Sequence, residues 1–352
     1  MVGKGLDPGN WGDPVLTLPP LPRGKSAMIL TLGLCLAGLA ALVLGAELLT
    51  RGGVALAEQL RVPPLVVGLT VVAVGTSTPE LAIGVDAALQ GNGALAVGNI
   101  AGTNTVNILL ILGLSALIRP LALRLQTTRL DLPVMVAAAL ALLLMAMDGR
   151  LSRLEGGLLI LAGVVYTAVT VRLARRDSRL VRQELAELGR LSEAEARSDG
   201  RALRNLALLG VGMAIIVVGA DWLVDGAVGL ARLWGVSDAF IGLTIVAIGT
   251  SSPELVTTIV STLKNERDLA IGNLLGSSIY NILLILGVTC LVPAEGVPVP
   301  KELIVADIPV MAGVAIACAP VFLTGRNISR LEGAAFVCAY GAYLTYLIVS
   351  RT

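Results

Sequence analysis

Two short stretches place a carboxylate, a proline and a run of hydroxyls inside segments otherwise apolar enough to cross a membrane. They are Gly75-Thr76-Ser77-Thr78-Pro79-Glu80 and Gly249-Thr250-Ser251-Ser252-Pro253-Glu254. A carboxylate at membrane depth is costly and marks a functional site by default. On a helix, positions i, i+3, i+4 and i+7 share one face. Ala73, Thr76, Ser77 and Glu80 fall on that series, as do Ala247, Thr250, Ser251 and Glu254. Each proline removes a backbone donor and breaks or kinks its helix. The carbonyls freed there survive only against protein, water or an ion. In the span that follows each stretch, Thr103 and Asn107 lie one turn apart, as do Ser277 and Asn281. Asn99 and Asn273 stand a further turn back.

Every candidate ligand is an oxygen, a set that suits hard cations such as Na⁺, Ca²⁺ and Mg²⁺. Mg²⁺ demands rigid octahedral geometry and keeps its waters, so a cage of dry protein oxygens favours Ca²⁺ or Na⁺. If the two glutamates meet at the midplane ~6 Å apart, their repulsion at an effective dielectric of ~20 is on the order of 3 kcal/mol. Bound cations relieve it. An empty site carries two bare charges past an apolar gate and resists reorientation, which is a physical reason for exchange rather than leak.

The elements that position these residues are membrane helices. The 352 residues are 55% hydrophobic and 14% charged, with 40 glycines and 3% aromatics; the mean hydropathy is +0.85. That composition excludes a soluble single-core domain, and the small residues allow close helix packing in lipid. The net charge of +1 gives no reason to expect a nucleic-acid partner. There is no histidine, which removes the usual transition-metal ligand and proton shuttle. Cys35, Cys290, Cys318 and Cys338 lie in apolar runs without metal-ligand spacing and read as structural thiols.

A span needs about 20 apolar residues. Ten stretches qualify: 27–50, 63–89, 94–118, 130–147, 155–173, 204–231, 237–262, 269–291, 303–324 and 332–350. The Pro/Gly-rich residues 1–26 read as a disordered tail, and the polar stretch 174–203 as a solvated linker with a short amphipathic pattern. A constant offset relates Glu80 to Glu254, Gly98-Asn99 to Gly272-Asn273, and Asn107 through Gly113 to Asn281 through Gly287. Fainter echoes pair Glu47 with Asp221, Asp131 with Asp307, and Ser152 through Gly156 with Ser329 through Gly333. The expected architecture is therefore all-α: two five-helix repeats, 27–173 and 204–352. An odd number of spans per repeat inverts the second copy in the membrane. Most Lys and Arg fall on the side of the 174–203 linker, which the positive-inside rule puts in the cytoplasm with both termini outside.

Blander readings compete residue by residue. A Thr-Ser pair in a membrane helix often back-bonds to its own carbonyls or glues helices. The doubling of the whole constellation, with no basic residue in the surrounding spans, favours an ion site. Glu47 and Asp221 read as lining a vestibule or pairing near an interface. Asp131 and Asp307, at span starts, read as acids at helix N-termini. Asp86 has Val260 as its counterpart and reads as a solvated helix-end residue.

At these residues the sequence resembles the cation/calcium antiporter superfamily, in its Na⁺/Ca²⁺ exchanger branch. That family's repeats read Gly-Thr-Ser-x-Pro-Glu followed by Gly-Asn-x-x-Gly-Ser-x-x-x-Asn/Asp. The resemblance implies a central Ca²⁺ site held by Glu80 and Glu254. It implies flanking Na⁺ sites at Thr76, Ser77, Thr103, Thr250, Ser251 and Ser277 with the carbonyls of Ala73 and Ala247, completed by Asn107 and Asn281. It also implies a mobile gate made of the first and sixth spans. Thr103 stands where many relatives have Ser and keeps the hydroxyl. Asn281 stands where some have the Asp that accompanies K⁺ co-transport, and so points to K⁺-independent exchange. The expected function is Na⁺-driven Ca²⁺ extrusion across a cell (inner) membrane by alternating access, with the bilayer and the two ions as partners and no cofactor. The competing readings are H⁺/Ca²⁺ antiport, since two close carboxylates can trade protons for metal, and a passive channel, which the doubled buried charge opposes. A hydrolase lacks a His or Lys base near Ser77.

Overall fold

The computed structural model describes residues 25–187, 202–234, 236, 247–323 and 327–351. The expected N-terminal tail and most of the linker lie outside them. Twelve helical segments are described: α1 Lys25–Leu60, α2 Pro64–Thr76 and α3 Thr78–Leu89, α4 Gly93–Ile118 and α5 Thr127–Asp148, and α6 Arg153–Glu187. The second half supplies α7 Ala202–Leu233, α8 Ala247–Thr250, α9 Ser252–Leu263, α10 Arg267–Leu291 and α11 Leu303–Leu323, and α12 Arg330–Arg351. Among the described residues eight helices are long and apolar enough to cross a membrane, and the bent pair α2–α3 makes a ninth. Of the expected tenth span, 237–262, α8 and α9 are described and 237–246 are not. Two helices outrun their expected ends. α1 continues past Arg51 to Leu60 and α6 past 173 to Glu187, because a helix needs apolar residues only where lipid surrounds it.

Four two-residue strands fix the topology. β1 (Leu121–Ala122) and β2 (Arg150–Leu151) sit at opposite ends of α5; β3 (Val297–Pro298) and β4 (Asn327–Ile328) sit at opposite ends of α11. β1 pairs antiparallel with β4, Leu121 opposite Ile328, and β2 with β3, Leu151 opposite Val297. One crossing separates β1 from β2, so β1 and β4 share one membrane face and β2 and β3 the other. The repeat counterpart of β1 is β3. Equivalent points of the two halves therefore lie on opposite faces, which is the inverted topology expected from five spans per repeat.

Local chemistry repeats with the fold. Ser152 and Glu155 form a reciprocal capping box at the start of α6: Glu155 accepts from the Ser152 amide at 2.8 Å, and the Glu155 amide donates to Ser152 Oγ at 3.2 Å. Ser329 and Glu332 do the same for α12 at 2.7 and 3.3 Å. The arginine inside each box reaches across to the carbonyl-rich end of a core helix, Arg153 to the Leu291 carbonyl and Arg330 to that of Ile118. Asp131 and Asp307 do more than favour a helix start. Asp131 accepts from the Tyr166 hydroxyl at 3.0 Å and Asp307 from that of Tyr343 at 3.2 Å, tying α5 to α6 and α11 to α12.

α4 and α10 are buried almost throughout and form the centre. Around them the other spans turn apolar side chains outward, among them Leu36, Leu144, Leu161 and Leu331. α1 and α7 form a separate pair along one side. Glycines recur every seventh residue on each helix: Gly38 meets Gly219 and Gly45 meets Gly212, while Gly52 packs on Asn205 and Leu209 of α7 and Gly226 on Thr31 and Cys35 of α1. A Cβ at Gly45 would stand 2.7 Å from the Gly212 carbonyl oxygen, and one at Gly38 2.7 Å from that of Gly219. Only glycine lets the two backbones approach this closely.

Candidate functional site

The breaks expected at the prolines fall two residues earlier. α2 ends and α3 begins at Ser77 (φ −83°, ψ 9°), with a 43° bend; Ser251 (φ −87°, ψ 7°) separates α8 from α9 in the same way. Pro79 and Pro253 then occupy the first turn of the new helix, where the missing N–H would have had no partner. The break puts Glu80 in the first turn of α3 and Glu254 in the first turn of α9. There the helix dipole favours a negative charge.

Both glutamates are fully buried. The two repeats interleave around them. Glu254 accepts from Ser77 Oγ of the first repeat and from Ser277 Oγ of the second, each at 3.5 Å. Thr76 Oγ1 lies 3.3 Å from Ser277 Oγ and 3.3 Å from its own Ala73 carbonyl, which also faces Ser277 Oγ at 3.5 Å. Thr76 donates to Asn273 Oδ1 at 3.1 Å, and Asn273 Nδ2 donates to Thr258 Oγ1 at 3.2 Å. Thr76, Ser77, Ser277 and the Ala73 carbonyl thus stand together around Glu254. Thr103, Asn107, Ser251 and Asn281 are buried as well. Thr250 is part-buried in α8, and Ala247 opens that helix.

Several of these oxygens have no hydrogen-bond partner: both of Glu80, Oε2 of Glu254, Ser251 Oγ, and Oδ1 of Asn107 and of Asn281. Leaving even one such group buried and unsatisfied costs on the order of 1–3 kcal/mol, more when charged. They are concentrated in the paired motifs, as a set of buried acceptors. Among the described residues no group of three or more His, Cys, Asp and Glu assembles. The charge for cations here is therefore two carboxylates, and the remaining donors are neutral hydroxyls, amides and carbonyls. π-helical turns begin at Asn107 and at Asn281, each running six residues. Such turns widen the helix and disturb its hydrogen-bond ladder next to the site.

Three features escaped the sequence reading. Thr258 belongs to the site through Asn273, although its repeat counterpart is Gly84. Asn104, buried between Asn281 and the Ser278 carbonyl, carries no motif signal of its own. The glycine seam was readable as a seven-residue period in both copies. Among the flanking acids, Glu47 pairs with Arg51 at 2.6 Å and with Lys264, just past the end of α9, at 2.5 Å, as the interface reading of it expected. Its counterpart Asp221 is exposed. Asp86 accepts from Gln90 at the end of α3.

A family model described as sodium/calcium exchanger protein matches residues 30–172 and 204–349. The inner membrane protein YrbG of Escherichia coli (strain K12) is 38% identical over 274 residues, which cover 76% of this chain and 82% of that protein. The sodium/calcium exchanger MaX1 of Methanosarcina acetivorans is 31% identical over 340 residues, covering 89% and 97%. A solved structure of the sodium-calcium exchanger NCX_Mj, soaked with 10 mM Na⁺ and zero Ca²⁺, superposes with a TM-score of 0.76 at 28% identity, covering 92% of this chain and all of that one.

Proposed function

Because the chain belongs to the sodium/calcium exchanger family, we propose that it is a Na⁺/Ca²⁺ antiporter that extrudes Ca²⁺ by alternating access, independently of K⁺. The observation that carries this is the pairing of two fully buried glutamates with a shell of neutral oxygens drawn from both repeats. Two carboxylates balance one Ca²⁺. The neutral shell of Thr76, Ser77, Ser277 and the Ala73 carbonyl, mirrored by the repeat counterparts Thr250, Ser251, Thr103 and the Ala247 carbonyl, suits weakly held Na⁺. Asn107 and Asn281 close the set between them. The absence of a third carboxylate at position 281 supports exchange without K⁺.

In this reading residues 27–173 and 204–352 are the two functional halves, joined by 174–203. The β1/β4 face is cytoplasmic, with the termini outside and the protein in the cell (inner) membrane, as the distribution of Lys and Arg supports. The α1–α7 pair is the moving body. Its glycine seam makes it rigid within itself, and besides apolar packing two polar contacts, Thr50–Ser261 and Glu47–Lys264, tie it to the core.

The test is ⁴⁵Ca²⁺ uptake into proteoliposomes under separately imposed Na⁺, K⁺ and H⁺ gradients. An outward Na⁺ gradient alone should drive uptake, and added K⁺ should change nothing. Uptake driven by a pH gradient without Na⁺ would instead make protons the counter-ion. Equilibration of Ca²⁺ with no counter-gradient would make the protein a channel.

A further inference from the structure

We propose that Asn104 is a positioning residue that holds Asn281 with its carbonyl oxygen, rather than its amide nitrogen, turned toward the ion site. The proposal rests on the ion-site reading above, since it needs Asn281 to face the cations. Asn104 is buried at the centre of α4 and touches none of the charged groups of the site.

The orientation follows from one fixed point. Asn104 Nδ2 lies 3.0 Å from the backbone carbonyl oxygen of Ser278. A carbonyl only accepts, so the Asn104 nitrogen must face it, and the same nitrogen also lies 3.8 Å from Met311 Sδ, a weak acceptor. Asn104 Oδ1 is therefore turned the other way, and Asn281 Nδ2 donates to it at 3.2 Å. With its nitrogen committed, Asn281 must present its oxygen on its other side. That oxygen is fully buried and has no hydrogen-bond partner. It projects one turn beyond Ser277, whose hydroxyl is on Glu254. Reversed, the amide would offer two N–H groups to a cation and leave two oxygens facing each other across 3.2 Å.

The inverted repeat supplies its own comparison. The counterpart of Asn281 is Asn107, and the counterpart of Asn104 is Ser278. Serine is too short to reproduce the contact. Ser278 Oγ has no partner, and neither does either amide atom of Asn107. One side of the site thus has an amide oriented by protein and the other has an amide free to choose. The second must be oriented by whatever ion arrives, which makes the two flanks of a symmetric site unequal.

The experiment is a double-mutant cycle on the purified full-length protein, with Asn104→Ser, Asn281→Ala and the pair. Binding of Na⁺, Ca²⁺, Sr²⁺, Mn²⁺ and Cd²⁺ is read by the thermal shift each ion produces, and of Ca²⁺ also with ⁴⁵Ca²⁺. Asn104→Ser copies the residue nature uses at the counterpart, and size-exclusion profile and ion-free unfolding temperature show whether it folds. Loss of an orienting partner behind a ligand typically costs 10–100-fold in affinity. Asn104→Ser should weaken binding about tenfold in the parent and not at all in the Asn281→Ala background. No change in the parent, or the same loss in both backgrounds, would overturn the proposal. The cycle is read on whichever ion the parent binds, so a parent that binds Mn²⁺ and not Ca²⁺ refutes the exchanger reading while leaving the clamp testable. A parent that binds none of the five refutes both.

Discussion

Glu80 has two buried oxygens and no donor for either, in a stretch of chain without a nearby lysine or arginine. Its partner Glu254 is better off, with two hydroxyls at 3.5 Å, but those are long, weak contacts. On the ion-site reading proposed above, a bound cation would supply the partner that neither carboxylate finds in the protein. Replacing either by Gln removes one of the two charges that balance a divalent ion. For a divalent ion at ~4 Å and an effective dielectric of ~20 that Coulomb term is about 8 kcal/mol, well over a thousandfold in affinity. Glu80→Gln and Glu254→Gln should each reduce Na⁺-driven ⁴⁵Ca²⁺ uptake to background, with folding intact by size exclusion. Near-parental flux in either would sink the assignment. Residue by residue, the acids, hydroxyls and amides proposed as the site stand out in the sequence because each departs from its apolar surroundings and occurs twice. Asn104 and Thr258 do not. They act through a neighbour on another helix, and no local pattern records which helices will touch.

At the level of elements, hydropathy and proline placement were enough to locate the spans and the broken helices, but not the seam between α1 and α7. In lipid, apolar side chains drive no particular pairing, so helix choice rests on close backbone fit. Gly45 faces the Gly212 carbonyl at the centre of that seam. A leucine there has to push the helices apart along their length. Gly45→Leu should lower the unfolding temperature in detergent by several degrees and abolish exchange. Gly157→Ala, where a Cβ meets nothing within 4 Å, should be neutral or slightly stabilising by helix propensity. Equal effects of the two would mean that the seam is not the joint holding the pair together. The inversion of the repeats was readable from the odd span count. The face-by-face proof came only with the strand pairings, whose two-residue strands are too short to leave a sequence signal.

Across the whole molecule the two-fold relation is broken in a directed way. On the β1/β4 face α1 packs along α9. There Thr50 and Ser261 share a buried hydrogen bond at 3.0 Å, and Lys264 reaches Glu47 at 2.5 Å. At the counterpart seam, on the β2/β3 face, Val224 and Ala87 replace the hydroxyl pair and Gln90 replaces Lys264. Gln90 is bonded to Asp86 of its own helix at 2.7 Å, and among the described residues α7 and α3 do not pack along one another. Thr78 is exposed where its counterpart Ser252 is buried. Polar contacts between α1 of the first half and residues 261–264 of the second thus tie the β1/β4 face, and the counterpart residues at the other face, Val224, Ala87 and Gln90, do not repeat them. The Glu47–Lys264 pair is partly exposed, so it is worth no more than about 1 kcal/mol. That is enough to change the share of molecules open at the β1/β4 face about fivefold. In a chain with Cys35 and Cys338 replaced by Ser, Ser261→Cys reports that opening through its reaction with a membrane-impermeant maleimide. Adding Lys264→Met should speed labelling from the β1/β4 face about two- to fivefold, and Lys264→Arg should leave it near the parental rate. If Lys264→Met labels no faster, the charged pair is a bystander, and the closed face is held by apolar packing.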